Sequence, residues 1–391
     1  MDARFAAADG APRVLCYGHF DVQPPEPLEL WDSPPFEPTV RDGKLFARGV
    51  SDDKGQLVSR LAALDAVRAV RGGLPARVKF VVEGEEEVGS PHLEQFVAQH
   101  RDLLAANYCV WETGGVNHLG QPSMTLGMRG ILYVELTVRT ATSDAHSGMA
   151  GSMFANAAWR LTWALASLKG PDERIRIPGF YDRARPPSAR DLELLEREPS
   201  SEEAIRRQFG LTRFLNDRTG LELRRAALFE PTCTINGIRT GYQGPGSKTV
   251  QPCEALAKVD FRLVPDQDPE EISGLLRRHL DDGGFDDVEV RVLGPERPAR
   301  VDPDDPFIQL AARTAAEVFG RETLLTPMSG GSGPIWAFTH HLGVPVAMIG
   351  ISYPGSSVHA PNEHVRLDLF TSGTRWMAHT VDRLLELPLT G

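Results

Sequence analysis

Over the first third of the chain, short apolar runs alternate with amphipathic stretches. Arg13 to Tyr17 reads as a buried strand that ends at Gly18-His19-Phe20-Asp21, and the Pro-rich stretch from Pro24 to Pro38 then runs as an extended loop. Lys44 to Gly49 makes a second strand. Ser51-Asp52-Asp53-Lys54-Gly55 opens a helix whose apolar stripe is Leu57, Leu61, Leu64 and Val67, and Gly72-Gly73 stops it. A strand from Arg77 to Val82 that reads as buried, a helix near Pro91 to His100 and a strand from Tyr108 to Trp111 follow. This alternation predicts an α/β fold with helices on both faces of a mostly parallel sheet.

The pattern changes after residue 127. Ile131 to Arg139 alternates as a strand, and Met153 to Leu168 is amphipathic. Gly170 to Pro187 reads as a surface excursion rich in Pro and Arg, and Ser200 with Glu203 as the capping box of a short helix that Gly210 ends. Strands are expected at Thr232 to Ile235, Ala255 to Val264 and Val288 to Leu293, with a helix from Pro269 to Leu280 between the last two. After Pro303 the α/β pattern resumes: a helix from Phe307 to Phe319, a Gly-rich segment from Ser329 to Gly333, a helix to Leu342, a strand from Val344 to Ile351 and a final helix from Leu367 to Leu385. The expected organisation is therefore a discontinuous catalytic domain, residues 1–127 and 303–391, with an inserted α+β lid or dimerisation domain at 128–302.

Composition narrows the function classes. The chain of 391 residues carries a net charge of −11, which argues against nucleic-acid binding through a broad basic surface. Its four cysteines, Cys16, Cys109, Cys233 and Cys253, form no Cys-x-x-Cys pair, so neither a zinc ribbon nor a redox dithiol is indicated, and a reducing cytoplasm fits best. No apolar run approaches membrane-spanning length, and the first residues hold no apolar signal core; neither a membrane partner nor export is expected.

Candidate chemistry sits at the strand ends. Glu83-Gly84-Glu85-Glu86-Glu87 follows the third strand, and carboxylates so crowded repel unless a cation or solvent offsets them. His19, Asp52, Glu112 and His359 stand at other element ends, and two imidazoles with several carboxylates suit zinc, with manganese or cobalt also fitting. A two-metal site needs one carboxylate that bridges the ions and another held free to take a proton. Glu86 and Glu87 could divide the roles of base and ligand.

Five segments carry a family likeness: Gly-His-Phe-Asp-Val-Gln at 18–23, Ser-Asp-Asp-Lys-Gly at 51–55, Glu-Gly-Glu-Glu-Glu-Val-Gly-Ser at 83–90, Asp-Ala-His-Ser-Gly at 144–148 and Phe-Arg-Leu-Val-Pro at 261–265. In this order they resemble the di-metal exopeptidase family of carnosinase-like dipeptidases, carboxypeptidase G, aminoacylase and succinyl-diaminopimelate desuccinylase. The resemblance implies that His19 and Glu112 hold one ion, Glu87 and His359 the other, and that Asp52 bridges them. Glu86 is then the general base, Asp21 orients His19, and a cis peptide joins Asp52 to Asp53. It further implies a homodimer formed through the inserted domain. There His146 reaches the partner's site to stabilise an oxyanion, while Thr249, Arg262 and Ser332 contact substrate. The expected activity is hydrolysis of a terminal amide bond by a metal-activated water. Dipeptides or short peptides come first as substrates; N-acyl-amino-acid deacylation or carboxypeptidase activity is the alternative, because Glu at 112 is usual in the carboxypeptidase and deacylase branches and Asp in the carnosinase-like one. A silent peptide-binding member is the third reading.

Other motifs weaken on inspection. Gly241 to Thr249 misses the phosphate-loop register because Ser247 precedes Lys248, and Pro334 stands where the Gly331-Ser332-Gly333 segment would need glycine for a nucleophile elbow. His100, His279, His340, His341 and His379 read as helix surface.

Overall fold

The computed structural model describes residues 10–388, so the N-terminal stretch read for a signal core lies almost wholly outside the described residues. In chain order, β1 (Arg13–His19), α1 (Lys54–Arg71), β2 (Arg77–Glu83) and β3 (Tyr108–Trp111) come first. Then follow β4 (Gly130–Arg139), α2 (Ala157–Leu168), β5 (Thr232–Thr240), β6 (Glu254–Leu263), α3 (Pro269–Asp282) and β7 (Val288–Glu296), and the chain returns through α4 (Pro306–Phe319), β8 (Val346–Met348) and α5 (Leu367–Asp382).

One sheet has the order β8-β3-β1-β2, with all neighbours parallel. Strands β1, β3 and β8 are buried residue after residue, as at Val14 to Tyr17 and Tyr108 to Trp111, which is how strands read when both faces are covered; β2, expected to be buried, stands at the sheet edge with only Val81 buried. Helix α1 packs on α5, and α5 on α4, so the two ends of the chain share one core. A second sheet, β5-β6-β4-β7, is antiparallel throughout and has a core of its own. Along β4 the alternation is plain: Leu132, Val134, Leu136 and Val138 are buried against α2 and α3. At the edge of that sheet, β5 leaves most of its length exposed. No helix of the described residues is long and apolar enough to cross a membrane.

In the helices and loops, three local expectations fail. Of the expected stripe on α1, Leu64 and Val67 are buried in the core, but Leu57 is half-buried and Leu61 is 43% exposed, because the N-terminal half of the helix turns Gln56, Ser59 and Arg60 inward toward the strand ends. The expected capping box at Ser200 is absent: the helix Glu202–Phe209 has Ser201 as its N-cap with no side-chain bond, although Gly210 does end it in a left-handed conformation. The box forms instead at Ser188 and Asp191, ahead of the helix Ala189–Arg197, which the sequence pattern did not predict. Finally, the excursion from Gly170 to Pro187 is no mere surface loop, since Ile175, Ile177 and Phe180 are buried in the second core.

Candidate metal centre

All the ligand candidates of the first unit lie at the carboxyl ends of parallel strands or in loops that reach them, the usual ligand-binding edge of an α/β sheet. His19 ends β1, Glu112 follows β3, and Glu86 and Glu87 occupy a single 3-10 turn, Glu86–Val88, beyond β2. Asp52 precedes α1 and is joined to Asp53 by a cis peptide bond. His359 sits in the loop after β8, in a left-handed conformation with φ of 60°.

Asp52 is the hub of this arrangement. Its Oδ1 lies 3.0 Å from His19 Nε2, and its Oδ2 lies 3.0 Å from His359 Nε2. The same His359 nitrogen is 3.1 Å from Glu87 Oε2, while His19 Nε2 is 3.7 Å from Glu112 Oε2 and 4.0 Å from Glu86 Oε2. On its other side, His19 presents Nδ1 to Asp21, 3.3 Å from Oδ1 and 3.2 Å from the backbone carbonyl oxygen. One carboxylate thus touches two imidazoles with different oxygens, and further carboxylates close the ring behind each.

The electrostatics are those of too many acids in too little water. Glu112 Oε2 is buried without a hydrogen-bond donor, and burial together with the Asp53 and Glu86 charges raises its carboxyl well above the usual range. Burial, aided by Asp52, Glu87 and Glu296, pushes Glu86 up to about 7. His19 resists burial through its bond to Asp52 and the surrounding charges and is raised to about 10, as is His359 through its bonds to Asp52 and Glu87. A divalent cation relieves this imbalance, and the donors suit one. His19, Asp52 and Glu87 offer ligand atoms within 4.8 Å of one another, as do His19, Asp53 and Glu112.

Several residues of this site escaped the sequence reading. Glu363, buried in the loop after His359, accepts the N–H groups of Gly49 and Ser51 at 2.9 Å and of Asp52 at 3.1 Å, and Arg48 Nη1 at 2.7 Å. It thereby ties the two hub-facing loops together. Gln23 donates its N–H and its Nε2 to the Glu87 carboxylate at 3.1 and 2.9 Å. Arg60 of α1, fully buried, donates to the carbonyls of Tyr17 and Trp111, which accounts for the polar face of that helix. Asp53 Oδ2 accepts the His19 N–H at 3.2 Å. Glu363 and Gln23 stand within a few residues of His359 and His19, so the signal was present; an acid or amide that serves backbone and neighbours looks no different in sequence from a solvated one.

The remaining candidates fall into two separate groups. His146 is exposed, accepts the Gly148 N–H at its Nδ1 and lies 3.5 Å from the Thr249 hydroxyl through Nε2. Arg262, on β6, donates to the Ser332 hydroxyl at 2.8 Å and lies 3.4 Å from Asp260. His364, near His359, is buried, bonded to the Tyr353 hydroxyl and the Asn362 carbonyl. His279 and His341 are less free than helix-surface residues: the first meets Ser167, the second Arg101 and Glu94.

Residues 15–383 match the model of the peptidase family M20/M25/M40. The chain is 34% identical over 272 residues to a Beta-Ala-His dipeptidase of Rattus norvegicus, a match covering 69% of this chain and 55% of the rat protein. It is 30% identical over 373 residues to the Beta-Ala-His dipeptidase of Homo sapiens, covering 93% of this chain and 73% of that protein. Among solved structures, an M20 family metallo-carboxypeptidase, Sso-CP2 from Sulfolobus solfataricus, superposes with a TM-score of 0.91 at 33% identity, over 96% of this chain and 86% of the other.

Proposed function

The chain belongs to peptidase family M20/M25/M40, and from that premise we propose that it is a metal-dependent dipeptidase, acting on the terminal amide bond of a dipeptide or short peptide. The observation that carries this reading is the Asp52 carboxylate held 3.0 Å from each of two imidazoles, with Glu87 and Glu112 behind them. His19 and Glu112 would hold one divalent ion, Glu87 and His359 the other, with Asp52 between; zinc suits the nitrogen and oxygen donors best, and manganese or cobalt also fit. When bound, such ions polarise an amide carbonyl and make water a nucleophile near neutral pH.

The chain's own groups supply the rest. Glu86, kept off the imidazoles at 4.0 Å, takes the water's proton on its carboxylate and delivers it to the departing amine. Asp21 fixes the His19 ring through Nδ1, as metal-ligating imidazoles require. Arg262, with Ser332 beside it, takes the substrate's carboxylate, for which a guanidinium fork is suited. His146 and Thr249, paired away from the metal ligands, serve the active site of a second copy in a homodimer formed through the second sheet's unit, with His146 on the developing oxyanion. A cytoplasmic setting suits its free cysteines.

The human and rat relatives are dipeptidases by name, which favours dipeptides. The likeness to a metallo-carboxypeptidase, with Glu rather than Asp at 112, keeps carboxypeptidase or N-acyl-amino-acid hydrolysis as the second reading. The deciding experiment sets dipeptides against acetyl- and succinyl-amino acids, using protein reconstituted with zinc and the same protein under chelator. Chelator-sensitive turnover of dipeptides is expected. Turnover of the acyl compounds alone would replace this reading with the second, and no turnover of either would overturn both.

A further inference from the structure

Glu296, the last residue of β7, has no part in the functions assigned so far. It pairs with Ile131 of β4, and Ile131 pairs on its other side with Arg262 of β6. Residues in register across antiparallel strands share a face, so Glu296, Ile131 and Arg262 form one row, on the side of the sheet opposite Leu132 and its buried core. From this row Glu296 extends toward the metal-binding edge: its Oε1 stands 3.7 Å from where a Cβ on Gly89 would lie, in the turn that carries Glu86 and Glu87.

The carboxylate lacks a partner. Oε2 is buried with no hydrogen-bond donor, and burial, opposed only in part by Arg262, lifts the acid to about 7. The nearest guanidinium in sequence is committed elsewhere: Arg297 pairs with Asp268 at 2.9 Å, Glu94 at 3.0 Å and Glu270 at 3.2 Å. Arg262 itself is held by Ser332 and Asp260. A carboxylate placed in this way, beside the turn that carries Glu86 and Glu87 and with no cation in ion-pair contact, is an acceptor waiting for a cationic group from outside.

Resting on the dipeptidase reading, in which Arg262 takes the substrate's carboxylate, we propose that Glu296 is a specificity-determining residue that accepts a cationic side chain on the dipeptide's C-terminal residue, that of lysine, arginine or protonated histidine. The row fixes which residue of the substrate it reads. Arg262 and Glu296 lie two strand spacings apart, roughly 10 Å along the sheet, a span that the carboxylate and the side chain of one bound residue can bridge. The N-terminal residue lies on the other side of the scissile bond, beyond the His19–Asp52–His359 hub.

The test compares kcat/KM for Ala-Lys, Ala-norleucine and Ala-Glu on zinc-reconstituted protein, for the natural chain and for Glu296→Gln and Glu296→Lys. The natural chain should prefer Ala-Lys over Ala-norleucine by roughly 10- to 100-fold, the range of one charge-assisted hydrogen bond. Glu296→Gln should bring that ratio near one, and Glu296→Lys should turn the preference toward Ala-Glu. Each ratio is taken within one protein, so partial misfolding or metal loss cancels. Equal turnover of Ala-Lys and Ala-norleucine by the natural chain, or a ratio that survives Glu296→Gln, would overturn the role of Glu296 while leaving the dipeptidase reading intact. No turnover of any of the three would overturn the dipeptidase reading and this inference with it.

Discussion

His19 and His146 are both imidazoles beside polar partners, yet their surroundings are built to opposite rules. His19 is buried, with Asp21 on one ring nitrogen and Asp52 and Glu112 on the other, all within 4 Å. His146 is exposed on a short strand of two residues, and its ring meets a glycine amide and, at 3.5 Å, a threonine hydroxyl. Around His19 every charge is close to another and far from water, so removing any member leaves its neighbours uncompensated. Around His146 solvent already satisfies most of what the side chain needs. The first arrangement is drawn from one chain; under the proposed function, the second acquires its task when it meets the site of a second copy.

Substitutions should separate the two regimes. The largest effect belongs to Glu86 and Glu87, neighbours in one turn to which the proposed function gives different tasks. Glu86→Gln should lower kcat by about 10² to 10⁴ with metal content intact, the usual loss for a general base. Glu87→Gln should instead lower metal stoichiometry, and excess zinc should restore part of its activity. Metal analysis beside kinetics decides between them, and metal loss confined to the Glu86 variant would mean the two roles are reversed.

Next in size is the exposed histidine. His146→Ala should cost about 10² to 10³ in kcat, as for removal of one oxyanion donor, with no change in metal content. Mixed with Glu86→Gln protein, it should recover activity as subunits exchange, because a heterodimer contains one site with both natural residues. Full activity in a His146→Ala protein that sediments as a monomer would remove both the dimer and the role.

The smallest effect is a pH slope in protein stripped of metal. Glu86 and Asp53, driven up to about 7 chiefly by burial against 4.5 and 3.8 ordinarily, hold protons more tightly folded than unfolded. His19 and His359, at about 10 against 6.5, do the same. A group that binds its proton more tightly in the folded state supplies stability that is present below its unfolded pKa and is lost as pH rises through the folded one. The melting temperature of the metal-free protein should therefore fall as pH rises from about 4 to 10, in successive carboxylate and imidazole windows. Asp52 runs the other way: its bonds to His19 and His359 outweigh burial and lower its pKa, so its contribution is lost only in stronger acid. Zinc should flatten the slope by supplying the positive charge that protons otherwise provide. A flat profile without metal would show that the hub is not electrostatically strained.

The contrast between the two histidines also governs what could be read without a structure. Strand ends with metal-ligand side chains were legible because an apolar run that stops at Glu-Gly-Glu-Glu-Glu or Gly-His-Phe-Asp sets ionisable groups at the edge of a core, where they persist only with a counter-charge. The supporting groups were not. Glu363 does its work through three backbone N–H groups and one guanidinium, none of which is marked in sequence. Arg60 lies where periodicity predicts core, next to a leucine that the helix leaves exposed, because long-range carbonyls at two strand ends outweigh the local apolar pattern. The Ser200 box failed for a related reason: a Ser-x-x-Glu spacing specifies a cap only where the backbone places both side chains on it, and Ser188 with Asp191 met that condition instead.

The loop that carries His359 and Glu363 has a further consequence, for the order in which the protein comes into being on the ribosome. His359 and Asp52 are 307 residues apart in sequence, and at usual elongation rates that interval takes on the order of 15 to 60 s. From Glu112 onward the emerging chain holds His19, Asp52 and Glu112 without the second imidazole or the carboxylate that fixes the Asp52 loop, while the antiparallel unit, contiguous in sequence, can close its own core once Val288 has been made. The hub is completed only near the end of synthesis, so under the proposed function an incomplete chain would present no hydrolytic centre to the peptides around it.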